Sequence, residues 1–380
     1  MVALVALAAC APQLPPVPMT PSRPGVPAAG PPGAPRQVTR PPTDPGAWRA
    51  VWLNHDLLAA GRSALGSLLD DLADAGINVV FPNAWFRGKV LYAGSAFAPQ
   101  DTRFAGWDPL AAVVDEGQRR GMKVLPWLEY GVITHYNTGG DPADSGPLLA
   151  AHPDWAALDR TGRMPLYHPD HKVYFYSLSP AVPRARDLLR DLALEIASRA
   201  PVDGLQVDRI RYPARDTSYD AFSREAFKAV KGDPATLPED DPDWVAWRRG
   251  QVSALQAAIR RGWMARFPGR TLAAAVLPSS ANAAHYQDWP AWCAAGDLDV
   301  AIPMAFNASQ AYVEREIGFA RQAVATGGTR LVIGLAAMHA GEANLRAQVR
   351  AAVSAGAGVA LWDDQWVRSH LPAVKAALAD

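Results

Sequence analysis

The sequence predicts an α/β protein in which eight short strands alternate with helices. Eight apolar runs have the length and composition of buried strands. Between them, apolar residues recur every three or four positions, as in helices that cover a sheet. Several helical stretches end in Gly, a common helix stop. Strands joined by helical crossovers are parallel, so eight such repeats predict a closed (β/α)8 TIM barrel. A doubly wound open sheet is the alternative, although no Gly-rich phosphate turn follows any strand.

The predicted elements cover the chain from about Trp48 to the C-terminus. The strands are expected, in chain order, at residues 50–53, 77–82, 123–129, 204–208, 272–276, 300–304, 331–335 and 359–362. The helices are expected at residues 64–75, 109–120, 183–199, 219–230 with 242–267, 289–295, 310–326, 342–355 and 366–379. Long connections at residues 131–182 and 212–241 follow the third and fourth strands. Both leave from strand carboxyl ends, where barrel loops usually build a substrate cleft.

Composition limits the function classes. The chain has 380 residues, with 37 Lys and Arg balanced by 37 Asp and Glu. A net charge of zero gives no basic field for a nucleic acid partner. Hydrophobic residues make up 49% of the sequence, enough for one large core. We therefore expect a single folded domain over residues 47–380, whose oligomeric state the sequence does not reveal.

The N-terminal residues resemble an export signal. An apolar run ends in Leu7-Ala8-Ala9-Cys10, which resembles a bacterial lipobox, so Cys10 is the expected lipidation site. Residues 11–46 contain 13 of the 34 prolines and are expected to form a disordered tether. Residues 1–10 would then be the signal-peptide remnant. Together these features predict an exported lipoprotein, anchored to a membrane of the bacterial cell envelope.

Polar side chains concentrate at the carboxyl ends of the predicted strands. Glu129 ends the third strand and Asp208 the fourth, so the two acids could face each other across one cleft. Glycoside hydrolysis needs such a pair, one acid to protonate the leaving oxygen and one carboxylate to attack or activate water. Asp363 and Asp364, after the eighth strand, are rival partners. A structural ion pair is the plain alternative for each acid.

The neighbouring residues suggest how the two acids would divide the work. Arg209 and Arg211 are expected to keep Asp208 ionised, as a nucleophile or base requires. An aromatic setting is expected to keep Glu129 protonated, as an acid requires. The predicted substrate-binding residues are Arg209, Arg211, Tyr212, Trp85, Trp127, Tyr130, His55, Asn307 and Trp362. Some of these aromatic residues are expected to be plain core.

Other chemistries fit the sequence less well. It contains no His-Glu-x-x-His motif for zinc and no Gly-x-Ser-x-Gly elbow. His168 and His171 are close in sequence, but Pro169 lies between them, and a solvated loop is the expected setting. No metal and no cofactor is therefore predicted.

Several motifs follow one another along the chain: Arg49-Ala50-Val51-Trp52-Leu53, Leu125-Pro126-Trp127-Leu128-Glu129-Tyr130-Gly131, His152-Pro153-Asp154-Trp155, Asp203-Gly204-Leu205-Gln206-Val207-Asp208-Arg209-Ile210-Arg211-Tyr212-Pro213, Trp247-Arg248-Arg249, Asp288-Trp289-Pro290-Ala291-Trp292 and Asp299-Val300-Ala301-Ile302-Pro303-Met304. In this order they resemble the glycosyl-hydrolase-like family ten, a group of bacterial barrel lipoproteins. The resemblance implies a (β/α)8 barrel that hydrolyses cell-surface glycan, including peptidoglycan strands stripped of their peptides. Arg209 stands where the family often has a second Asp after Asp208.

The expected function is therefore glycoside hydrolysis of a cell-envelope polysaccharide. A non-catalytic glycan-binding lipoprotein on the same scaffold is the alternative, because fold alone does not fix function. A lyase or transglycosylase acting on the same glycan is a third hypothesis.

Overall fold

The computed structural model describes residues 47–138, 141–164, 166–168 and 173–379. The predicted signal remnant, Cys10, the Pro-rich tether and His171 lie outside these residues. Strands lie at β1 (Arg49–Leu53), β2 (Val79–Pro82), β3 (Trp85–Phe86), β4 (Lys89–Val90), β5 (Lys123–Val124), β6 (Trp127–Leu128), β7 (Ile133–Thr138), β8 (Leu166–His168), β9 (Val173–Ser177), β10 (Gly204–Val207), β11 (Thr271–Val276), β12 (Val300–Pro303), β13 (Arg330–Ala336) and β14 (Gly358–Trp362).

The α-helices lie at α1 (His55–Leu58), α2 (Arg62–Asp74), α3 (Pro109–Arg119), α4 (Gly146–Ala151), α5 (Pro183–Ser198), α6 (Ala221–Lys228), α7 (Pro242–Arg266), α8 (Ser279–Asn282), α9 (Trp289–Ala295), α10 (Gln310–Val324), α11 (Ala337–Ser354), α12 (Asp364–Ser369) and α13 (Leu371–Leu378). Short 3₁₀ turns lie at Thr102–Phe104, Pro153–Trp155, Pro234–Thr236 and Ala283–His285. No described helix is long and apolar enough to cross a membrane.

The main sheet is parallel and curled, in the manner of a TIM barrel. Its strand order is β5-β2-β1-β14-β13-β12-β11-β10-β6. The order follows the chain without the reversal of a doubly wound sheet, so that alternative was wrong. The two ends of the order, β5 and β6, are consecutive pieces of the chain separated only by Leu125 and Pro126. The third predicted strand thus contacts both β2 and β10.

Pro126 accounts for the break in this third strand. It has no N–H to donate to a ladder, so the strand changes partner at this point. On one side of the break, Leu125 N donates to Val80 O over 3.1 Å. On the other, Gln206 N donates to Pro126 O over 2.9 Å. The break therefore lets one strand join both edges of the sheet.

Side chains alternate between two cores along each strand, as the pleat requires. In β1, Ala50 and Trp52 pack inside the curled sheet, against Phe81 and Trp127 among others. Val51 and Leu53 point to the helical layer. There they meet helices such as α2, whose Leu65, Leu68, Leu69 and Leu72 are buried at helical spacing. Burial on both faces explains why these strands read as continuous apolar runs.

The segments after the second and third strands contain small sheets that the sequence did not predict. β3 and β4 form a two-residue hairpin. β7, β9 and β8 form a three-stranded antiparallel sheet within the 131–182 connection. Two helices also differ from expectation. The predicted helix at 366–379 is divided into α12 and α13, and α11 bends at Gly341, which has a φ of +67°.

Candidate active site

Glu129 and Asp208 lie side by side at the carboxyl edge of the sheet. β6 and β10 are parallel, with Trp127 opposite Gln206 and Leu128 opposite Val207. Glu129 and Asp208 are the next residues on each strand, and neighbouring strands are about 4.8 Å apart. The loop after Glu129 turns back onto the same place, because Gly131 packs against the backbone of Asp208 and Arg209.

Burial favours the protonated form of Glu129. The residue is 8% exposed, and its Oε2 accepts a hydrogen bond from Asn83 Nδ2. Burial raises the pKa of Glu129 to about 8, the negative charge of Asp208 acts in the same direction, and Arg209 opposes both. The raised pKa favours the protonated form of Glu129, which is the form that a general acid needs.

Asp208 is held by two N–H donors. Trp127 Nε1 donates to Oδ2 over 3.1 Å, and the backbone N of Arg209 donates to Oδ1 over 2.6 Å. Burial raises the pKa of Asp208, although Arg209, Arg211 and both donors act to lower it. The two arginines favour the ionised form, as expected, but the loss of solvent outweighs their charges in the net direction of the pKa. That they keep Asp208 ionised stays a prediction.

The ionisation of the two acids is coupled, because the negative charge of Asp208 acts to raise the pKa of Glu129. Arg209 and Arg211 lie beside Asp208 and favour its charged form. Arg209 also stacks over Tyr130 at 4.9 Å. Asp208 accepts two N–H donors and has two arginine neighbours, so its charged form has more stabilising partners than that of Glu129.

Asp363 and Asp364 occupy a different part of the sheet edge, after β14. Asp363 Oδ1 accepts the backbone N–H of Trp366 over 2.9 Å and caps α12. Asp364 is fully buried and accepts a 2.6 Å hydrogen bond from Asn54 Nδ2. Burial raises the pKa of Asp364 to about 6. These contacts fix the end of β1 to the start of α12, whereas the pair at β6 and β10 stands apart from them.

Aromatic rings line the sheet edge between the Glu129–Asp208 pair and the Asp363–Asp364 pair. Trp362 packs edge-on against Trp127, with ring centres 5.5 Å apart. Phe306 stacks on Trp362 at 6.5 Å, and both rings are half-buried. A flat, half-exposed pair of rings beside a carboxyl pair is suited to stacking on a sugar. Sequence reasoning named Trp362 and Trp127 but missed Phe306, which followed a strand without any polar signal.

Two predicted sugar contacts are core residues instead. Tyr212 is fully buried and its hydroxyl lies 2.7 Å from Ser218 Oγ. Trp85 is fully buried and its Nε1 donates to Gly131 O over 3.0 Å. Both side chains have satisfied polar atoms inside the protein, so the prediction that they contact substrate was wrong for this structure. Spacing along a strand end did not show which way these rings turn.

The remaining predicted substrate-binding residues include Arg211, Asn307 and His55. Arg211 lies 3.4 Å from His285 Nδ1, and burial together with Arg209 lowers its pKa to about 10. Asn307 Oδ1 accepts the N–H of Ser309 over 2.8 Å, so its side chain shapes a turn. His55 stacks on Phe86 at 3.6 Å, and burial lowers its pKa to about 4. His55 is therefore neutral at physiological pH.

Asn83 and a group of loop side chains were not among the predicted binding residues. Asn83 ends the second strand and donates to Glu129. Phe86 packs edge-on against Tyr130 at 4.9 Å and so joins the β3–β4 hairpin to the acid pair. No sequence pattern brings this hairpin beside Glu129, because the contact depends on strand order. In the described ranges, no group of three or more His, Cys, Asp or Glu is placed to hold a metal ion.

A carboxyl pair at the carboxyl edge of a curled parallel sheet is typical of glycoside hydrolases with a TIM-barrel-like fold. The sequence places the chain more narrowly: residues 46–350 match the family described as glycosyl hydrolase-like 10, and the protein belongs to that family.

Named relatives agree with this class. The chain is 25% identical over 319 residues to glycosyl hydrolase DigH of Escherichia coli strain K12, covering 74% of this chain and 67% of the relative. It is 24% identical over 301 residues to glycosyl hydrolase YngK of Bacillus subtilis strain 168, covering 68% of this chain and 54% of YngK. The glycoside hydrolase domain of PgaB (BpsB) from Bordetella bronchiseptica shares the fold. Its TM-score is 0.66 at 16% identity, over 87% of this chain and 98% of that domain.

Proposed function

We propose that this protein is an exported glycoside hydrolase that cleaves glycosidic bonds in a bacterial cell-envelope polysaccharide, with peptide-free peptidoglycan strands as its substrate. One observation carries the proposal: Glu129, with its pKa raised to about 8, lies directly beside Asp208 at the carboxyl edge of the sheet. A protonated acid next to a carboxylate is the pair that glycoside hydrolysis requires.

In the proposed reaction, Glu129 gives its proton to the glycosidic oxygen as the bond to the anomeric carbon breaks. Asp208 either attacks that carbon or takes a proton from the attacking water, and the sugar oxygen leaves as an alcohol. Trp127 Nε1 and the backbone N of Arg209 hold the Asp208 carboxylate in place while this happens. Held donors of this kind need no reorganisation in the transition state.

The charge balance of the site supports the same assignment. Loss of the Glu129 proton leaves a second negative charge next to Asp208, and Arg209 lies close enough to lower the pKa of both acids. If Asp208 forms a covalent bond to the sugar, its charge disappears and Glu129 ionises more easily. Glu129 can then act as the base that activates water in a second step.

The envelope location rests on residues outside the described ranges. Cys10 follows an apolar run, and residues 11–46 are rich in proline. Lipidation of Cys10 would hold the folded domain close to the cell-wall glycan, at the end of a Pro-rich spacer. The family resemblance supports peptide-free peptidoglycan as the glycan. Replacement of Cys10 by Ser is expected to move the protein from the membrane to the soluble fraction.

Mass spectrometry of purified peptide-free glycan strands tests the proposal. The full chain should release shorter strands that carry one added water at each cut, whereas Asp208→Asn should release none. The Asn side chain keeps the size of Asp208 but provides no carboxylate for attack or base catalysis. Intact strands after incubation with the parent protein would contradict the proposed activity on this glycan.

A glycan-binding protein without activity is the second candidate. Both oxygens of Asp208 already accept hydrogen bonds from the protein, and its pKa is raised, as for a structural acid. In that case the parent and Asp208→Asn should both retain strands in a pull-down, and neither should shorten them. Anhydro or transferred products from the parent would instead indicate a transglycosylase.

A further inference from the structure

A second polar site lies in a cavity of about 360 Å³ that neither acid of the pair lines. The β3–β4 hairpin forms one wall and β7 another, since Arg87, Lys89, His135 and Tyr136 all line it. The hairpin turn fits tightly on β7, because a Cβ added to Gly88 would overlap the carbonyl oxygen of Thr134. The volume is in the range of pockets that hold small ligands.

Arg87 occupies a backbone conformation that an arginine seldom adopts. It has a φ of +50° and Gly88 has a φ of +77°, and together they are the two central residues of the β3–β4 turn. Turns with positive φ at both central positions favour Asn, Asp or Gly, because a larger side chain adds strain. Backbone strain of this kind is common at functional sites, where the side chain has a role. The Arg87 guanidinium is therefore a candidate binding group.

The guanidinium of Arg87 is fixed but lacks a negative partner. It lies 3.7 Å from the centre of the Tyr136 ring and 4.6 Å from that of Phe86. Its Nε is buried without a hydrogen-bond partner in the described part of the chain. No carboxylate of the described residues forms an ion pair with it, whereas the buried Arg248 is satisfied by backbone carbonyls such as that of Arg215, 2.7 Å away. A rigid cation of this kind can receive an anion with little loss of side-chain entropy.

The other charged side chains of the cavity do not form ion pairs with Arg87 or Lys89. Asp101 is taken by Arg103, with Arg103 Nη2 and Asp101 Oδ2 2.6 Å apart. Arg103 also reaches Asp56 over 2.8 Å, and His135 lies 3.3 Å from Asp144. Lys89 is exposed and forms no ion pair among the residues that the structure describes. Arg87 and Lys89 thus remain as two positive charges at one cavity that form no ion pair with the described residues, although Lys89 lies close enough to Asp101 to lower its pKa.

One ring contact and one electrostatic interaction connect the cavity to the proposed catalytic pair. Phe86, which lines it, packs against Tyr130, the residue after Glu129. The charge of Arg87 also lowers the pKa of Glu129, so the guanidinium is electrostatically coupled to the acid. A sugar unit bound at Glu129 could therefore place a substituent in this cavity.

We propose that this cavity is a subsite for a carboxylate carried by the substrate, with Arg87 and Lys89 as its binding groups. The inference rests on the proposed function. In peptide-free peptidoglycan the lactyl group of each muramic acid ends in a free carboxylate, whereas an attached peptide converts it to an uncharged amide. The subsite thus selects strands whose lactyl carboxylate is free, by a charge-assisted contact that the amide cannot make.

The first test compares two substrates. Peptide-free strands are treated with carbodiimide and borohydride, which reduces the lactyl carboxylates to alcohols and leaves the glycosidic bonds intact. The full chain should cleave native strands with a kcat/KM about 10- to 100-fold higher than reduced strands, the range for one charged hydrogen bond. Equal values for both substrates would overturn the subsite while leaving the glycosidase proposal intact.

The second test assigns the discrimination to the two cations. Arg87→Gln and Lys89→Gln should each lower the ratio of kcat/KM for native over reduced strands, and Arg87→Lys should restore part of it. Lys89 is exposed, so its replacement does not depend on refolding of the core. Lys375→Gln, which removes an exposed Lys from the last turn of α13, is the matched control and should keep the parent ratio. A parent-like ratio in both Arg87→Gln and Lys89→Gln would contradict the proposal.

A binding measurement separates the subsite from the catalytic claim. Calorimetry should show N-acetylmuramic acid binding more tightly than N-acetylglucosamine, and Arg87→Gln should weaken the first about tenfold or more. Glucuronic acid is measured beside them to test whether the carboxylate of a uronic acid binds instead of the lactyl carboxylate. Preference for the acid sugar without strand cleavage would keep the subsite and reject the proposed hydrolase. No preference for either acid sugar would reject the subsite.

Discussion

The protonation of Glu129 is decided by the loss of solvent around one carboxyl group. Arg209, Arg87 and the Asn83 amide all favour the charged form, yet burial outweighs them and the pKa rises to about 8. Asp208 experiences the same burial but has two N–H donors and two arginine neighbours. In the proposed mechanism, two acids from the same sheet edge therefore take opposite roles because their immediate partners differ.

The stability of Glu129→Gln should differ from that of the parent in a pH-dependent way. Above pH 4.5 the unfolded parent ionises Glu129, whereas the folded parent holds the proton up to about pH 8. The folded parent thus binds more protons in this window, and its free energy of unfolding falls by about 1.4 kcal/mol for each step of one pH unit. Gln does not titrate, so the variant should gain a few kcal/mol over the parent at pH 8.

Guanidinium unfolding of both proteins between pH 4 and pH 8 measures this difference. Asn83 can still donate to the Gln oxygen, so the variant keeps the main hydrogen bond. Parallel stability curves for the two proteins would show that Glu129 is not a buried, protonated acid.

At the residue scale, the sequence predicted which side chains have suitable chemistry better than it predicted the direction in which they point. Glu129 and Asp208 follow from their places at two strand ends, and the structure puts them side by side. Tyr212 and Trp85 have equally suitable places but turn into the core. The direction of a ring after a strand ends depends on loop backbone and packing, which have no period in the sequence. The burial that raises the pKa of Asp208 was missed for a similar reason, since charged neighbours are visible in a sequence and burial depth is not.

At the scale of elements, the turn after β6 holds the acid pair together. Gly131 has a φ of +46°, and a Cβ added there would overlap the carbonyl oxygen of Asp208 and lie 2.9 Å from the carbonyl carbon of Arg209. The chain therefore passes so close to the end of β10 that only a glycine fits. The position of Glu129 depends on this contact, because Tyr130 alone separates it from Gly131.

Gly131→Ala should destabilise the protein more than a glycine substitution with the same backbone strain alone. Gly162 is the matched control, because it has a φ of +77° and no atom would lie within 4 Å of a Cβ added there. Gly162→Ala should cost about 1–2 kcal/mol from the left-handed backbone, and Gly131→Ala about 1–3 kcal/mol more from overpacking. Denaturant unfolding of the two variants measures both costs. Equal losses would mean that the close approach at Gly131 is not a constraint.

Elements with strong periodicity were predictable, and short ones were not. All eight predicted strands and the long helices lie where apolar periodicity placed them, within a few residues. The hairpin of β3 and β4 and the sheet of β7, β8 and β9 have strands of two to six residues, too short to show a period. Their pairings connect segments distant in sequence, such as Ile133 with Ser177. The cavity at Arg87 depends on these elements and was for that reason invisible in the sequence.

At the scale of the whole molecule, the first strand joins the start of the domain to its end. β1 pairs with β2 on one side and with β14 on the other. Trp48 is 1% exposed, and its carbonyl oxygen accepts the N–H of Val359 over 2.7 Å. The family match begins at residue 46, next to this strand. The curled order of the sheet followed from the seven crossovers that join eight predicted strands, but the double contact of the third strand did not.

A chain that starts at Ala47 should therefore keep the thermal midpoint of the full-length protein. A chain that starts at Asn54 lacks β1 and leaves β2 and β14 each with one unpaired edge, so it should lose the cooperative unfolding transition. Calorimetry of the two truncations tests the domain boundary. A lower midpoint for the chain that starts at Ala47 would show that residues before it contribute to the fold.

The pH dependence of kcat/KM on peptide-free glycan strands tests the central claim most directly. A general acid works only while protonated, so the parent activity should fall as pH rises through about 8, the pKa of Glu129. Glu129→Gln should lose about 10²- to 10⁴-fold in rate and show no basic limb near that pH. A parent profile that stays flat through pH 9, or the same basic limb in the variant, would contradict Glu129 as the acid.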